Sequence, residues 1–252
     1  MHQHLSVSQM KLYLLCPLKY FYRYMAKLPA LLSSELTLGR SVHAALELNF
    51  RQKVTTQQDV SLDVVTDAFS DTWQREAKET QFDADEQPGQ VKDEGVALVG
   101  KYHREVASVI QPVAVETPFE LTFANAPYTF QGRIDLLDDT GTIVDHKTTK
   151  RAPTPEQVRQ DIQLTAYSLA HQVQQGQPEA GLRLDVMVRN KQPKVLHLPT
   201  TRQPADHARF LKLLGYVAKG IQGELFYPNP NFTCPSCPYR RPCDAWHVRS
   251  AT

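Results

Sequence analysis

Gly132-Arg133-Ile134-Asp135-Leu136-Leu137-Asp138-Asp139-Thr140-Gly141-Thr142-Ile143-Val144-Asp145-His146-Lys147 reads as two strands around a tight turn. A three-residue hairpin loop of Asp139, Thr140 and Gly141, with Gly141 left-handed, pairs Asp138 with Thr142. Counting inward, Asp135 falls opposite Asp145. Directly opposed residues on one sheet face have Cβ atoms about 4.5–5.5 Å apart. A two-residue loop would set Asp135 opposite Val144 instead. Side chains alternate along a strand, so Asp145 and Lys147 share one face and His146 takes the other. Aspartate is a poor strand former, yet two interrupt these apolar runs. Two close carboxylates repel unless a proton or a cation sits between them. Hard cations such as Mg²⁺ take such oxygens. A neighbouring ammonium stabilises negative charge developing on a phosphate. The plainer alternative is a solvated pair of aspartates neutralised by Lys147.

The pattern around this hairpin alternates helices and strands. Residues 6–27 read as a helix capped by Ser6 or Ser8 and broken near Cys16-Pro17. Val42, Ala45, Leu46 and Phe50 form a helical stripe over residues 39–52, with His43 at its edge. Residues 61–78 and 91–108 also read as helices, joined by an acidic Pro/Gly-containing loop over 79–90. Val113, Val115, Phe119, Leu121 and Phe123 recur at period two, and Tyr128 opens the next strand. Thr154-Pro155-Glu156-Gln157 is a capping box with proline at the first helical position. That helix is expected to run on to Gly176. It carries Gln163 and Tyr167 on one face, by spacing alone ordinary helix surface. Residues 182–188 and 195–198 read as a hairpin, and residues 205–221 as a last helix. The expected fold is α/β: one domain spanning 1–252, with a helical insertion over about 50–110 and a cysteine-rich tail over 227–252.

Cys234, Cys237 and Cys243 crowd the tail, and Cys16 lies far upstream. Clustered thiols suit tetrahedral zinc or an iron–sulfur cluster, which ligand count does not separate. Either would clip the two ends of the chain together. With 28 Lys and Arg against 27 Asp and Glu, the net charge is +1, so nucleic-acid contacts must use local patches. Lys150 with Arg151, Arg189 with Lys191, and Arg240 with Arg241 are candidates, and Trp246 is a candidate for base stacking. No apolar run approaches membrane length, and the start lacks a secretory pattern, so the expected address is cytoplasmic.

Taken together these residues resemble the PD-(D/E)XK nuclease superfamily, nearest to RecB-like exonucleases of the AddB C-terminal and CRISPR-associated types. Gly39-Arg-Ser-Val-His43 resembles the family's G-x-x-x-H motif, Gly132-Arg-Ile-Asp135 its G-x-x-D, and Asp145-His-Lys147 its (D/E)-x-K. Gln163 to Tyr167 resembles Q-x-x-x-Y, which implies a DNA contact. Leu15-Cys16-Pro17-Leu18-Lys19-Tyr20-Phe21 resembles its first cysteine motif. The resemblance implies a restriction-endonuclease-like core with a central mixed sheet flanked by helices. It implies Mg²⁺ or Mn²⁺ held by His43, Asp135, Asp145 and the backbone of His146, with Lys147 catalytic beside Asp145 and Asp135. The four cysteines would hold a [4Fe–4S] cluster, zinc being the alternative. Glu116 is a possible helper. The implied function is DNA hydrolysis in recombination, repair or CRISPR adaptation, most simply by an exonuclease on single-stranded ends. A separately encoded helicase or CRISPR adaptation proteins would be partners. The rival is a silent DNA-binding scaffold that keeps its cluster for structure.

Overall fold

The computed structural model describes residues 4–123, 128–190 and 192–246, which leaves Lys191 outside the described residues. In chain order the elements are β1 (His4–Ser6), α1 (Val7–Leu15), α2 (Pro17–Tyr20), a π-helical turn (Phe21–Met25), β2 (Leu32–Ser33) and α3 (Ser34–Thr56). Next come α4 (Leu62–Glu76), β3 (Thr80–Gln81), α5 (Pro88–Glu105), β4 (Pro112–Thr122), β5 (Thr129–Asp138) and β6 (Thr142–Thr149). The chain closes with α6 (Pro155–Arg159), α7 (Ile162–Gln175), β7 (Gly181–Val188), β8 (Lys194–Thr200), α8 (Pro204–Gln222) and α9 (Arg240–Asp244). The fold is mixed α/β with a central mixed sheet flanked by helices. The chain packs as two compact units, residues 32–119 with 133–203, and residues 1–31 with 120–132 and 204–252.

In the first unit, β5 and β6 form the expected hairpin. Leu136 pairs with Val144 and Leu137 with Ile143, so Asp135 and Asp145 are the next opposed couple. Gly141 has φ +80°, the left-handed conformation that the three-residue loop requires. Asp138 closes the turn by accepting from the backbone N–H groups of Thr140 and Thr142. Strand β6 then pairs with β7 in parallel, a connection long enough to hold α6 and α7. Strand β8 returns antiparallel to β7. Leu136, Val144 and Met187 meet α3, α4 and α5 in one buried cluster with Leu46, Phe50, Phe69, Leu98 and Tyr102. These side chains lie on the apolar stripes of the helices, so burying them is what fixes the helices on the sheet.

Three local expectations change. The helix opened by the Thr154 capping box stops at Gln160, because Asp161 caps a new helix by accepting from the N–H groups of Gln163 and Leu164. Within residues 79–90, Thr80–Gln81 pairs with Leu32–Ser33, and α5 begins at Pro88. The third is β1, unforeseen because three residues carry no readable period. It runs parallel to residues 129–131 within the second unit.

The second unit shows why the tail is ordered. Cys16 is extended (φ −162°) and Pro17 starts a new helix, so the carbonyl of Leu15 is freed. Asn229 and Asn231 donate to that carbonyl at 3.0 and 3.2 Å. Tyr22 donates to the carbonyl of Pro242, and Leu18 N–H to that of Tyr227. Buried backbone groups demand partners, and the tail supplies them.

Candidate active site

The site is built on the hairpin of the first unit. Asp145 is completely buried, and Lys147, next on the same face, places Nζ 2.9 Å from its Oδ2 and donates to Oδ1 at 3.3 Å. Oδ2 is buried with no aligned hydrogen-bond donor among the described residues. Asp135, across the hairpin, accepts from the backbone N–H of His146 at 2.9 Å and from the hydroxyl of Tyr167 at 3.1 Å. His43, from α3, places Nε2 2.9 Å from the carbonyl oxygen of His146 and Nδ1 3.6 Å from Asp135 Oδ2. Glu116 arrives from β4 at φ +49°, a conformation non-glycine residues rarely adopt and which clusters at functional sites. One ligand atom each from His43, Glu116 and Asp135 gather within 4.8 Å.

The charges are strongly biased. Burial raises Asp135, but the imidazole of His43 and the hydrogen bond with His146 outweigh it and hold the carboxyl well below its usual range. Burial pushes Asp145 upward, against the pull of Lys147. Burial works against the Lys147 ammonium, yet Asp145 and Asp135 more than offset it, so its pKa is raised. Glu116 is pushed up to about 7 by burial and then by the charges of Asp135 and Glu47. A carboxyl that holds its proton against two like charges occupies a place where a cation would be favoured.

The sequence-expected residues fall into two groups. His43, Asp135, Asp145, His146 and Lys147 come together. Gln163 and Tyr167 join them, although spacing alone made them surface. Gln163 accepts from Lys147 Nζ at 2.9 Å and donates to the Tyr167 hydroxyl at 2.7 Å. Tyr167 is buried, and its hydroxyl donates to Asp135 and accepts from Gln163. Among the basic residues, Arg151 is exposed, whereas Lys150 pairs with Glu35 and Glu86. Arg189 is half-buried and ion-paired with Glu86 and Glu94. Trp246 is half-buried and packs against the cluster of Leu18, Tyr22 and Tyr239. Glu116 was the least legible member, since only a tertiary approach brings it to the hairpin.

In the second unit, Cys16, Cys234, Cys237 and Cys243 are free thiols lining one cavity of about 60 Å³. Burial pushes the Cys243 thiol up, and the other three cysteines push it further. Thiols that crowd one another in this way are a donor set for soft or borderline metals.

No curated protein matches the chain. Among solved structures, a candidate exonuclease from Eubacterium rectale is similar, with 11% identity, a TM-score of 0.64, and coverage of 95% of this chain and 88% of that one. This likeness speaks to fold alone. A second, SSO0001, shares 13% identity over 97% of this chain and 87% of that one, at a TM-score of 0.48, too low to carry an argument. The PD-(D/E)XK nuclease superfamily pattern matches residues 4–244, nearly the whole chain. With a mixed sheet that opposes two aspartates beside a lysine, this chain belongs to the PD-(D/E)XK nuclease superfamily.

Proposed function

We propose that the chain acts as one metal-dependent deoxyribonuclease domain of the RecB-like kind, an exonuclease on single-stranded DNA ends. The observation that carries this is the gathering of His43, Glu116 and Asp135 within 4.8 Å on the unit that also holds the Asp145–Lys147 pair. The donors are carboxylate, carbonyl and imidazole, which suit Mg²⁺ or Mn²⁺. Two details support the fit. Asp145 Oδ2 is buried and has only the Lys147 ammonium, at 2.9 Å, beside it. His43 stands with its ring 2.9 Å from the His146 carbonyl and 3.6 Å from Asp135 Oδ2, so imidazole, carbonyl and carboxylate donors lie side by side. His43, Asp135, Asp145 and the His146 carbonyl would hold the ion, and Glu116 would complete the set. When bound, the ion neutralises the carboxylates and polarises a phosphoryl oxygen.

The chain's own residues do the rest. Lys147 stays protonated between two carboxylates and meets the charge that develops on the phosphate. Gln163 aims its ammonium, and Tyr167 holds Asp135 in place. Arg151 and Lys150 supply phosphate contacts, which makes binding salt-dependent.

The four cysteines lining one cavity would hold a [4Fe–4S] cluster, with zinc as the alternative. A cytoplasmic enzyme of recombination, repair or CRISPR adaptation, working with a separately encoded helicase or adaptation proteins, fits this chemistry. No helix of the described residues is long and apolar enough to cross a membrane.

The test is digestion of end-labelled single- and double-stranded DNA with Mg²⁺ and with Mn²⁺. Mononucleotide release from single strands is expected, and Lys147→Ala should lose about 10²–10³-fold in rate. Equal behaviour of wild type and variant would leave the silent scaffold. Iron and sulfide analysis decides the cluster, and colourless protein with one zinc would exclude it.

A further inference from the structure

Behind the carboxylates lies a polar network that hydrolysis does not directly employ. His146 on β6, Asp185 on β7 and His197 on β8 are cross-strand neighbours in one transverse row of the sheet. Tyr102 of α5 reaches this row, and Phe50 of α3 stacks on the His146 ring. Tyr102 and Asp185 are completely buried, beside a large apolar cluster. Buried polar groups of this kind are costly unless every one is satisfied.

Counting protons assigns each bond its direction. Asp185 receives Arg183 Nε at 2.8 Å and Nη2 at 3.3 Å, and lies 2.7 Å from His197 Nδ1. Despite burial, these donors and nearby charges keep its carboxyl below the ordinary value. An ionised carboxylate only accepts, so the Tyr102 hydroxyl spends its single proton on Asp185 Oδ2, at 2.7 Å. The phenol oxygen is then left to accept from His146 Nε2, 2.9 Å away. His146 must therefore carry a proton on Nε2. Its ring is held by that bond on one side and by Phe50 on its face, and its Nδ1 lies 3.6 Å from Asp135 Oδ2, while its backbone N–H donates to Asp135 and its carbonyl faces His43.

We propose that Tyr102 and Asp185 are positioning residues that keep a proton on His146 Nε2 and thereby set the His146 backbone between Asp135 and His43. The proposal rests on the nuclease reading only where it assigns that backbone to a cation site; the proton assignment stands apart from it. Groups that orient a ligand in this way typically govern metal affinity 10–100-fold.

The test uses the full chain, stripped of divalent ions, as wild type, Tyr102→Phe, Asp185→Asn and Val99→Ala. Val99 is buried on the same helix as Tyr102 and serves as a packing control. Mn²⁺ affinity is measured by calorimetry, the His146 tautomer by ¹⁵N NMR, and folding by thermal melting. Tyr102→Phe should bind Mn²⁺ about tenfold or more weakly. Asp185→Asn offers a donor where a carboxylate stood. The Tyr102 hydroxyl can then turn towards His146, and the ring should move to the Nδ1–H form. Val99→Ala should melt lower yet keep both the tautomer and the affinity. An unchanged His146 tautomer in Asp185→Asn would overturn the proposal. So would Tyr102→Phe affinity within twofold of wild type, or an equal loss in Val99→Ala. If Asp185→Asn does not fold, the Tyr102→Phe spectrum decides: His146 keeping a single Nε2–H form there overturns the proposal. Wild type that takes up no Mn²⁺ would bring down the nuclease reading as well. Wild type and Tyr102→Phe that bind equally well would bring down the positioning role alone.

Discussion

Replacing Lys147 by methionine removes an ammonium while keeping most of the side chain's length. The carboxylate it leaves behind is completely buried, with Nζ formerly 2.9 Å from Oδ2, and Gln163 also loses its donor. Removing one partner of a buried ion pair costs about 3–5 kcal/mol, because the remaining charge is uncompensated. Lys147 is 35% exposed, so solvent screens part of this and a loss of roughly 2–3 kcal/mol is expected at pH 8. The pH dependence carries a sign. Asp145 already has a raised pKa in the fold, and loss of Lys147 raises it further. A folded carboxyl above its unfolded value holds a proton that the unfolded chain releases, so stability falls as pH rises through that window. Below the wild-type folded pKa both proteins are protonated at this position, and the deficit vanishes. Above the variant's folded pKa the deficit is complete and flat. Urea unfolding followed by circular dichroism, in chelator over a series of falling pH from 8, measures this with an unchanged slope. A deficit that does not shrink as the pH falls would refute the idea that an unpaired Asp145 causes it.

Two other outcomes follow from the same coordinates. Glu116, raised to about 7, must lose a proton to join a cation, so Mn²⁺ affinity should fall about tenfold per pH unit below 7 and level off above it. Calorimetry in buffers of different ionisation enthalpy should detect the released proton, and Glu116→Gln should abolish that release; a pH-independent affinity in wild type would remove Glu116 from the set. Gly95→Ala would drive a Cβ into the Phe69 ring and place it 2.6 Å from Leu38 Cδ1, inside the buried helical layer. About 1–3 kcal/mol of destabilisation is expected from such overpacking, and an unchanged melting temperature would contradict the close approach of α5 to α3 and α4.

Local chemistry made much of the fold legible. The hairpin register followed from Gly141 and the count of residues around it, because a three-residue loop leaves one pairing for Asp135 and Asp145. The break at Pro17, the Thr154 capping box and the Gly176 stop, at φ +70°, each act within a few residues. Where two local signals competed, the reading went astray: Asp161 is a better cap than the preceding helix could override. His43 was marked by its stripe edge and its motif, while Gln163 and Tyr167 were singled out by the motif resemblance alone, because helix spacing shows which residues share a face but not what that face meets.

Residue types, spacing and turn chemistry are carried by neighbours in the chain, and they were enough to set the strands, the opposed aspartates, the lysine and the four thiols. Long-range packing decided everything that depends on where a side chain ends. It brought Glu116 to the hairpin with a strained backbone, turned Tyr167 inward to Asp135, and bound Arg189 to two glutamates. It also threaded the proton chain from His146 through Tyr102 to Asp185. Such outcomes depend on distances between elements far apart in the chain and on the need of every buried polar group for a partner, neither of which any local window contains.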